Sequence, residues 1–212
     1  MEFQHFLQIV PKIPKVTLPG ESAHAKMSPP ERIAKVREID FSVVNPRRAA
    51  VLMLVYPKDA QAVLTLIERN AYKGVHSSQI AFPGGKIESF DSSPLFTALR
   101  ETEEEVGVPR ETINIVCPFS ELYIPPSNFK VSPFLGYCNQ TPLFIADPRE
   151  VASIVELPLS VLLDDRFTEI RTMATAYSQS IEVPVINVGR HAVWGATAMM
   201  LSELKEVLKQ TA

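Results

Sequence analysis

Acidic side chains crowd into one short segment of this 212-residue chain. Residues 100–108 read RETEEEVGV. On a helix, where successive residues turn by about 100°, Glu101, Glu104 and Glu105 lie on one face, close to the helix end at Gly107. Like charges at this spacing repel by roughly a few tenths of a kcal/mol per pair, and the negative end of the helix dipole disfavours them further. Such a local conflict is expected at a functional site.

Carboxylate oxygens are the ligands that hard divalent cations prefer, so this face predicts a site for Mg²⁺ or Mn²⁺. The simpler alternative is a solvated acidic surface on which Arg100 pairs with Glu104. Two adjacent glycines, Gly84 and Gly85, precede the helix, and a tight turn that aims a main-chain oxygen at an ion tolerates no side chain. The opposite face of the helix is predicted to face the core and carries Leu95, Ala98, Leu99, Thr102 and Val106.

The segment from Gly85 to Val108 resembles the sequence box of Nudix hydrolases, G-x5-E-x7-R-E-U-x-E-E-x-G-U, in which U is aliphatic. Two positions depart from the pattern. Asp91 stands in place of the first Glu, and eight residues instead of seven separate it from Arg100. Thr102 occupies an aliphatic position. The positions that match are Gly85, Arg100, Glu101, Glu104, Glu105, Gly107 and Val108.

The resemblance implies roles for these residues. Glu101, Glu104, Glu105 and the carbonyl of Gly85 would hold Mg²⁺ or Mn²⁺, which neutralises a diphosphate and acidifies a bound water. Arg100 would orient a neighbouring carboxylate through a charge-assisted hydrogen bond. Glu104, Glu105 and Arg100 therefore belong to the expected catalytic set.

Nudix proteins often bring a further glutamate to the metals from a distal loop or helix. Glu150 and Glu156 are the candidates here, and Glu150 completes the expected catalytic set. Either residue is equally consistent with a charge at the start of a helix, where acidic side chains are favoured.

A second, partial resemblance covers roughly residues 45–208 and is to Nudix proteins of the coenzyme A diphosphatase type. Its signature is altered at Asn70, Gly74 and Ser78. It implies cleavage of coenzyme A or an acyl-CoA to 4′-phosphopantetheine and 3′,5′-ADP. ADP-ribose, a nucleotide sugar or a damaged nucleotide are the alternative substrates, and a non-catalytic ligand-binding domain is a third possibility. The segments that carry this resemblance are 64–69, 76, 79–85, 127–136 and 193–198.

Substrate discrimination must come from groups that meet the part of the substrate beyond the diphosphate. We expect these groups in the loop 69–79 and in the N-terminal segment 24–32. Single basic residues are more often merely exposed, which is the alternative for each of them. The candidates for binding substrate phosphate are Arg69, Lys73, His76, Lys26 and Arg32.

Composition sets the remaining expectations. With 46% hydrophobic and 21% charged residues, the chain has the material for one domain with a full core. A net charge of −3 gives no case for nucleic-acid binding. The opening residues lack the basic start and the long apolar core that are typical of a signal peptide, so we expect none, and no apolar run approaches the ~20 residues that span a bilayer. Two cysteines suggest buried thiols in a reducing compartment, so we expect a soluble cytoplasmic monomer or homodimer.

Residues 1–40 are expected to form an N-terminal extension with a short helix, which packs on a domain of residues 41–212. Strands mixed with few helices predict an α/β (α+β) fold, a Nudix-type α/β/α sandwich with a mixed sheet between helices. The last helix is predicted at 196–209. Strands are predicted at 49–56, 62–68, 113–116, 121–124, 131–137, 167–172 and 183–188.

Overall fold

The computed structural model describes residues 1–29, 32, 39, 44–70, 79–175 and 178–211. A mixed sheet lies between helices in this part of the chain, as the sequence predicts. The helices are α1 (Phe3–Ile9), α2 (Glu21–Ala25), α3 (Pro94–Val106), α4 (Leu159–Leu163) and α5 (Gly195–Thr211). The strands are β1 (Arg47–Lys58), β2 (Gln61–Arg69), β3 (Ile80–Ala81), β4 (Gly84–Lys86), β5 (Asn114–Pro118), β6 (Leu122–Ile124), β7 (Phe129–Tyr137), β8 (Val151–Pro158), β9 (Thr168–Thr175), β10 (Ser178–Val188) and β11 (His191–Val193). Short 3₁₀ turns cover Val10–Lys15, Arg110–Thr112, Pro125–Ser127 and Asp165–Phe167.

Strand β1 is the centre of the main sheet. It pairs in parallel with β7 along most of its length, and in antiparallel fashion with β4 near its start and β2 near its end. The strand order is β3-β2-β1-β7-β5, with β8 beside β2 and β6 beside β7. Strands β9, β10 and β11 form a separate antiparallel sheet.

The two faces of β1 are both buried, which explains its continuous apolar run. Ala50, Leu52 and Leu54 pack on the side of α3, against Ala98 and Val106. The alternate residues of β1 face the other way and join a second cluster with α1 and α5. The helix that carries the acidic face and the C-terminal helix therefore cover opposite faces of the sheet.

Strand β8 differs from the sequence-based expectation for Glu156, which placed it in a loop or at a helix start, whereas Glu150 lies in the turn just before the strand. Residues 151–158 instead extend the sheet by pairing antiparallel with β2. Val155 and Leu157 are buried on the face that α1 and α5 cover, whereas Val151 packs in the cluster on the α3 face. A register shift near the start of β8 separates them, so the strand lacks the simple alternation that would mark it in the sequence.

The N-terminal residues pack closely on the rest of the protein. Phe3 donates its N–H to the carbonyl of Ala60 at 2.8 Å, and the carbonyl of Met1 accepts from Ala62 at 3.0 Å. These bonds attach the chain start to the turn between β1 and β2. The domain boundary at residue 40 stays a prediction.

Two simple features complete the fold. Within the described ranges, none of the helices has both the length and the apolar character that crossing a membrane requires. Cys117 and Cys138 both carry free thiols, and burial raises the pKa of Cys117 to about 11.

A buried carboxylate on α5 fixes the N-terminal segment. Glu203 is fully buried, and its oxygens accept hydrogen bonds from the Gly20 N–H at 3.0 Å and from the Ser120 hydroxyl and N–H at 2.6 and 3.2 Å. His24 Nε2 lies 3.3 Å away. Burial alone would raise the pKa of Glu203, but the bonds from His24 and Ser120 outweigh it and lower the pKa. The stabilisation is therefore complete above the ordinary glutamate pKa and is lost as the pH falls through the lowered value.

We expect Glu203→Ala to lower the free energy of unfolding by about 3 kcal/mol, because it leaves buried donors without an acceptor. For a chain of this size the melting temperature should fall by about 10 °C. Glu206→Ala is the matched control, since Glu206 forms only a partly exposed ion pair with Lys26 and should contribute less than about 1 kcal/mol. Thermal unfolding followed by circular dichroism measures both. Equal losses in the two variants would contradict the anchoring role of Glu203.

Candidate active site

Helix α3 has well-defined ends, and these set the position of its acidic face. Ser93 caps the start, where its hydroxyl accepts from the Phe96 N–H at 3.1 Å, and Pro94 occupies the first turn. Gly107 ends the helix with φ of 73°, a left-handed conformation that favours glycine. A Cβ on Gly107 would also lie 2.8 Å from the Cβ of Ile145, so the position excludes larger residues.

Arg100 is the centre of the charged cluster. Its Nη1 lies 2.9 Å from Glu101 Oε1 and 2.9 Å from Glu104 Oε2, so one nitrogen bridges two carboxylates. Its Nε and Nη2 donate to the two oxygens of Asp91, each at 2.9 Å. The ion pair of Arg100 with Glu104 that the spacing suggests is therefore present, as one part of a larger network.

Asp91 is the strongest partner of Arg100, and its part in the site was not recognised in the sequence. Its side chain is fully buried, and Thr97 also donates a hydroxyl to it at 2.8 Å. The bond from Arg100 holds the pKa of Asp91 far below its usual range, and the pKa of Arg100 is raised in turn. The signal was available, because five residues separate Asp91 from Gly85, which is where the Nudix box has its first acidic residue.

The two glycines of β4 let the helix approach the sheet. A Cβ on Gly85 would lie 2.3 Å from Glu101 Cδ, so the Glu101 carboxylate occupies the space that any side chain would need. Gly84 has φ of 150°, and a Cβ there would lie 2.4 Å from the Ala50 carbonyl oxygen. The Gly84 N–H donates to Glu105 Oε2 at 2.9 Å. Both glycines thus have a steric reason to be glycine.

Glu105 is buried to an extent that the sequence did not predict, since only 2% of it is exposed. Burial raises its pKa to about 8, although the Gly84 N–H and the charge of Arg69 oppose this shift. Burial also raises the pKa of Glu101, against the opposing effect of Arg100. Glu104 differs, because more than half of its side chain is exposed. The three carboxylates share a helix face but occupy unequal environments.

Within the residues that the structure describes, no three carboxylate, histidine or cysteine side chains converge on a point that a metal ion could occupy. The carboxylates are directed instead at protein donors, Glu101 and Glu104 at Arg100 and Glu105 at Gly84. The donor chemistry nevertheless fits a hard cation, because every available ligand is an oxygen. A metal ion at this site would take the place of the present partners of these carboxylates, which are Arg100 and the Gly84 N–H.

The two distal glutamates lie in different places. Glu150 lies near the cluster, because its carbonyl accepts the Asn70 N–H at 2.9 Å and the adjacent Arg69 contacts Glu105. Glu156 does not belong to the site. It is on β8 and is bound by the Tyr56 hydroxyl and Lys58, at the end of β1 that is roughly 20 Å from the glycines by the rise of an extended strand.

The candidate phosphate-binding residues are distributed over the molecule. Arg69 Nη1 lies 3.4 Å from Glu105 Oε1, next to the carboxylate cluster. Lys26 forms an ion pair with Glu206 at 3.0 Å, on the side of α5. Arg32 donates to the Tyr123 carbonyl at 2.9 Å, and burial lowers its pKa to about 10. Lys73 and His76 lie outside the described residues.

The structure also explains why Thr102 can occupy a position that is aliphatic in the Nudix box. The residue is fully buried, and its hydroxyl donates to the Ala98 carbonyl at 2.7 Å. This bond to the preceding turn satisfies the polar group, so the methyl can pack where an aliphatic side chain would.

Comparison with known proteins agrees with this geometry. The family model for the NUDIX domain matches residues 46–173, more than half of the chain. An uncharacterized Nudix hydrolase of Citrobacter koseri, NudL, is 33% identical over 172 residues, which cover 79% of this chain and 85% of that protein. NudL of Photorhabdus laumondii is 32% identical over 162 residues, 76% of this chain and 85% of that protein.

Solved structures share the fold at low sequence identity. The Nudix hydrolase RenU of M. smegmatis superposes with a TM-score of 0.53 at 16% identity, over 79% of this chain and 88% of RenU. A MutT/nudix family protein from Enterococcus faecalis gives a TM-score of 0.52 at 18% identity, over 88% of this chain and 72% of that protein. The chain therefore belongs to the Nudix hydrolase family, whose members cleave pyrophosphate bonds.

Proposed function

We propose that this enzyme hydrolyses the phosphoanhydride bond of a nucleoside diphosphate derivative with Mg²⁺ or Mn²⁺ held by Glu101, Glu104, Glu105 and the carbonyl of Gly85. The observation that carries the proposal is the contact between Glu101 and Gly85, where the carboxylate fills the space of a missing Cβ. A fold that needed only stability would gain little from an acidic group at that point, since it lies among other carboxylates.

Each protein group has a definable task in this proposal. A bound divalent cation neutralises phosphate charge and lowers the pKa of a water molecule. Arg100 and Asp91 hold the carboxylates of α3 in a fixed direction. Burial of Glu105 keeps one carboxylate where few water molecules compete for it. Glu150 lies beside the cluster and is the candidate for the further catalytic glutamate.

We expect Glu104→Gln and Glu105→Gln each to lower kcat by more than about 100-fold, since even the outer partners of metal ligands typically contribute 10–100-fold. Circular dichroism should show an intact fold, because the amide keeps the shape of the side chain. Glu103→Gln is the matched control on the same helix. Glu103 pairs with Arg110, away from the cluster, and its variant should retain kcat.

The metal requirement is measured in the same assay. Activity should disappear in EDTA and return when Mg²⁺ or Mn²⁺ is added in excess. Undiminished hydrolysis in EDTA, or near wild-type kcat in both glutamine variants, would contradict the proposed metal site.

Arg100→Lys keeps the charge but cannot make the paired bonds to Asp91 together with the bridge to Glu101 and Glu104. We expect kcat to fall by about 10–100-fold and the metal concentration for half-maximal activity to rise, with a smaller change in KM. Steady-state kinetics with a metal titration separate these effects. A raised KM at unchanged kcat would instead assign Arg100 to direct substrate binding.

Coenzyme A or an acyl-CoA is the substrate that we propose, with 4′-phosphopantetheine and 3′,5′-ADP as products. Support comes from the resemblance of segments 64–69, 79–85, 127–136 and 193–198 to the coenzyme A diphosphatase type. A cleft of about 680 Å³, lined by Arg32 and Lys130 among others, is not lined by the carboxylates of α3, so it offers room only for the part of a substrate that lies beyond the diphosphate. A hydrolysis screen across coenzyme A, ADP-ribose, NADH and dinucleoside polyphosphates tests the choice, and a preference for ADP-ribose would overturn it.

We also propose that the loop 69–79 and the segment 24–32 read the 3′-phosphate of coenzyme A. A charge-assisted hydrogen bond contributes roughly 1.5–3 kcal/mol, or about ten-fold or more in kcat/KM. We therefore expect at least one of Lys26→Ala, Arg32→Ala, Arg69→Ala and Lys73→Ala to lose about ten-fold with coenzyme A. The same variant should lose little with 3′-dephospho-CoA. Equal losses on both substrates in every variant would remove these residues from phosphate recognition.

A further inference from the structure

A second charged cluster lies on the sheet beside the carboxylates. Glu121 Oε2 lies 2.5 Å from Lys130 Nζ, and its Oε1 lies 3.7 Å from Arg48 Nη2. The hydroxyl of Ser132 donates to Glu121 Oε1 at 2.9 Å. We call Arg48, Lys130, Glu121 and Ser132 the Glu121 cluster.

Strand register places the Glu121 cluster on the same face of the sheet as the carboxylates of α3. Ala50 is directly opposite both Gly85 on β4 and Ser132 on β7. Directly opposed residues point to the same face, and Ala50 packs on the side of α3. Arg48 and Lys130 are likewise opposed, two residues earlier.

The distance between the two clusters suits one extended ligand. Gly85 and Ser132 are two strand spacings apart, which is roughly 10 Å. The side chains of Arg48 and Lys130 are 58% and 42% exposed, so they remain accessible to a ligand on this face. Two cations opposite one carboxylate leave a net positive charge.

The side chains around Glu121 favour its ionised form. Lys130, Ser132 and Arg48 together lower its pKa, although burial opposes the shift. The carboxylate therefore acts as an internal counter-ion for the two cations when no ligand is bound. A more highly charged anion could take its place as their partner, because a phosphate offers more acceptor oxygens.

The cleft extends from this cluster towards the N-terminal segment. Glu121, Tyr123 and Lys130 line it on one side, and His24, Ser28 and Arg32 on the other. A ligand held at Lys130 could therefore continue into the cleft.

We propose that Arg48 and Lys130 form a binding site for a phosphate group that is shared by all substrates of this enzyme, with Glu121 as the counter-ion that this phosphate displaces. This proposal rests on the proposed function, because the phosphate group that Arg48 and Lys130 bind belongs to the diphosphate of the substrate. It differs from recognition of the 3′-phosphate, because it predicts equal losses with coenzyme A and 3′-dephospho-CoA.

The first test measures binding of inorganic pyrophosphate by calorimetry in metal-free buffer. Arg48→Ala and Lys130→Ala should each weaken binding by about ten-fold, whereas Arg166→Ala should not. Arg166 is the matched control, since it is an exposed arginine in an ion pair with Asp164 and lies outside both clusters. Unchanged pyrophosphate affinity in both test variants would overturn the proposal.

A second test separates ligand binding from simple neutralisation of Glu121. If Arg48 only neutralises Glu121, the double variant Arg48→Ala/Glu121→Gln should recover wild-type affinity, because the unpaired carboxylate is gone. If Arg48 binds phosphate, the double variant stays about ten-fold weak. Glu121→Gln alone should bind pyrophosphate at least as well as the wild type, and recovery in the double variant would contradict the proposal.

Hydrolysis assays keep the two proposals distinguishable. With active wild-type enzyme, the Arg48 and Lys130 variants should show raised KM for coenzyme A and 3′-dephospho-CoA alike, and losses confined to coenzyme A would contradict the shared site. If the wild type binds pyrophosphate through Arg48 and Lys130 but hydrolyses none of the screened substrates, the phosphate site stands and the proposed hydrolysis fails. If it hydrolyses a substrate and neither variant is affected, only the phosphate site fails.

Discussion

Repulsion among carboxylates is the constraint on which the site depends. Two guanidinium groups offset this repulsion, Arg100 beside Glu101 and Glu104 and Arg69 beside Glu105. Arg100 contacts Asp91, Glu101 and Glu104 and is buried beside them, so its charge offsets part of the repulsion on the acidic face of α3. Asp91 in turn keeps Arg100 charged and fixed in direction. Ser93 and Gly107 set the two ends of the helix that carries these carboxylates.

The main sheet provides the backbone that the carboxylates of α3 contact. Strand β1 is buried on both faces, and this allows β4 to lie beside it with two glycines under the acidic helix. Glu101 and Glu105 then meet the backbone of β4 directly, one in place of a side chain and one through an N–H. The opposite face is closed by α5, whose Glu203 holds the N-terminal segment. The carboxylates of α3 and the anchoring carboxylate of Glu203 thus lie on opposite faces of the sheet.

Sequence reasoning identified what depends on residue type and spacing along the chain. The buried strand β1, the acidic helix and the glycine pair all follow from local patterns, and the family follows from their combination. It did not identify the near-complete burial of Glu105 or the position of Glu156 in β8, because both depend on which strands meet in space. The Glu121 cluster was missed for the same reason, since its members come from three separate strands or loops.

The segment between Asp91 and Arg100 is one residue longer than in the Nudix box, yet the two side chains still form their hydrogen bonds. Asp91 is fixed by Arg100 at one end and Ser93 caps the helix at the other, so an additional residue before the helix leaves both contacts in place. The number of residues between two motif positions therefore describes the length of the connecting loop. The residue types describe which side chains contact each other. A chain with a further insertion at this point would escape a search that counts residues, even if it kept the same charged network.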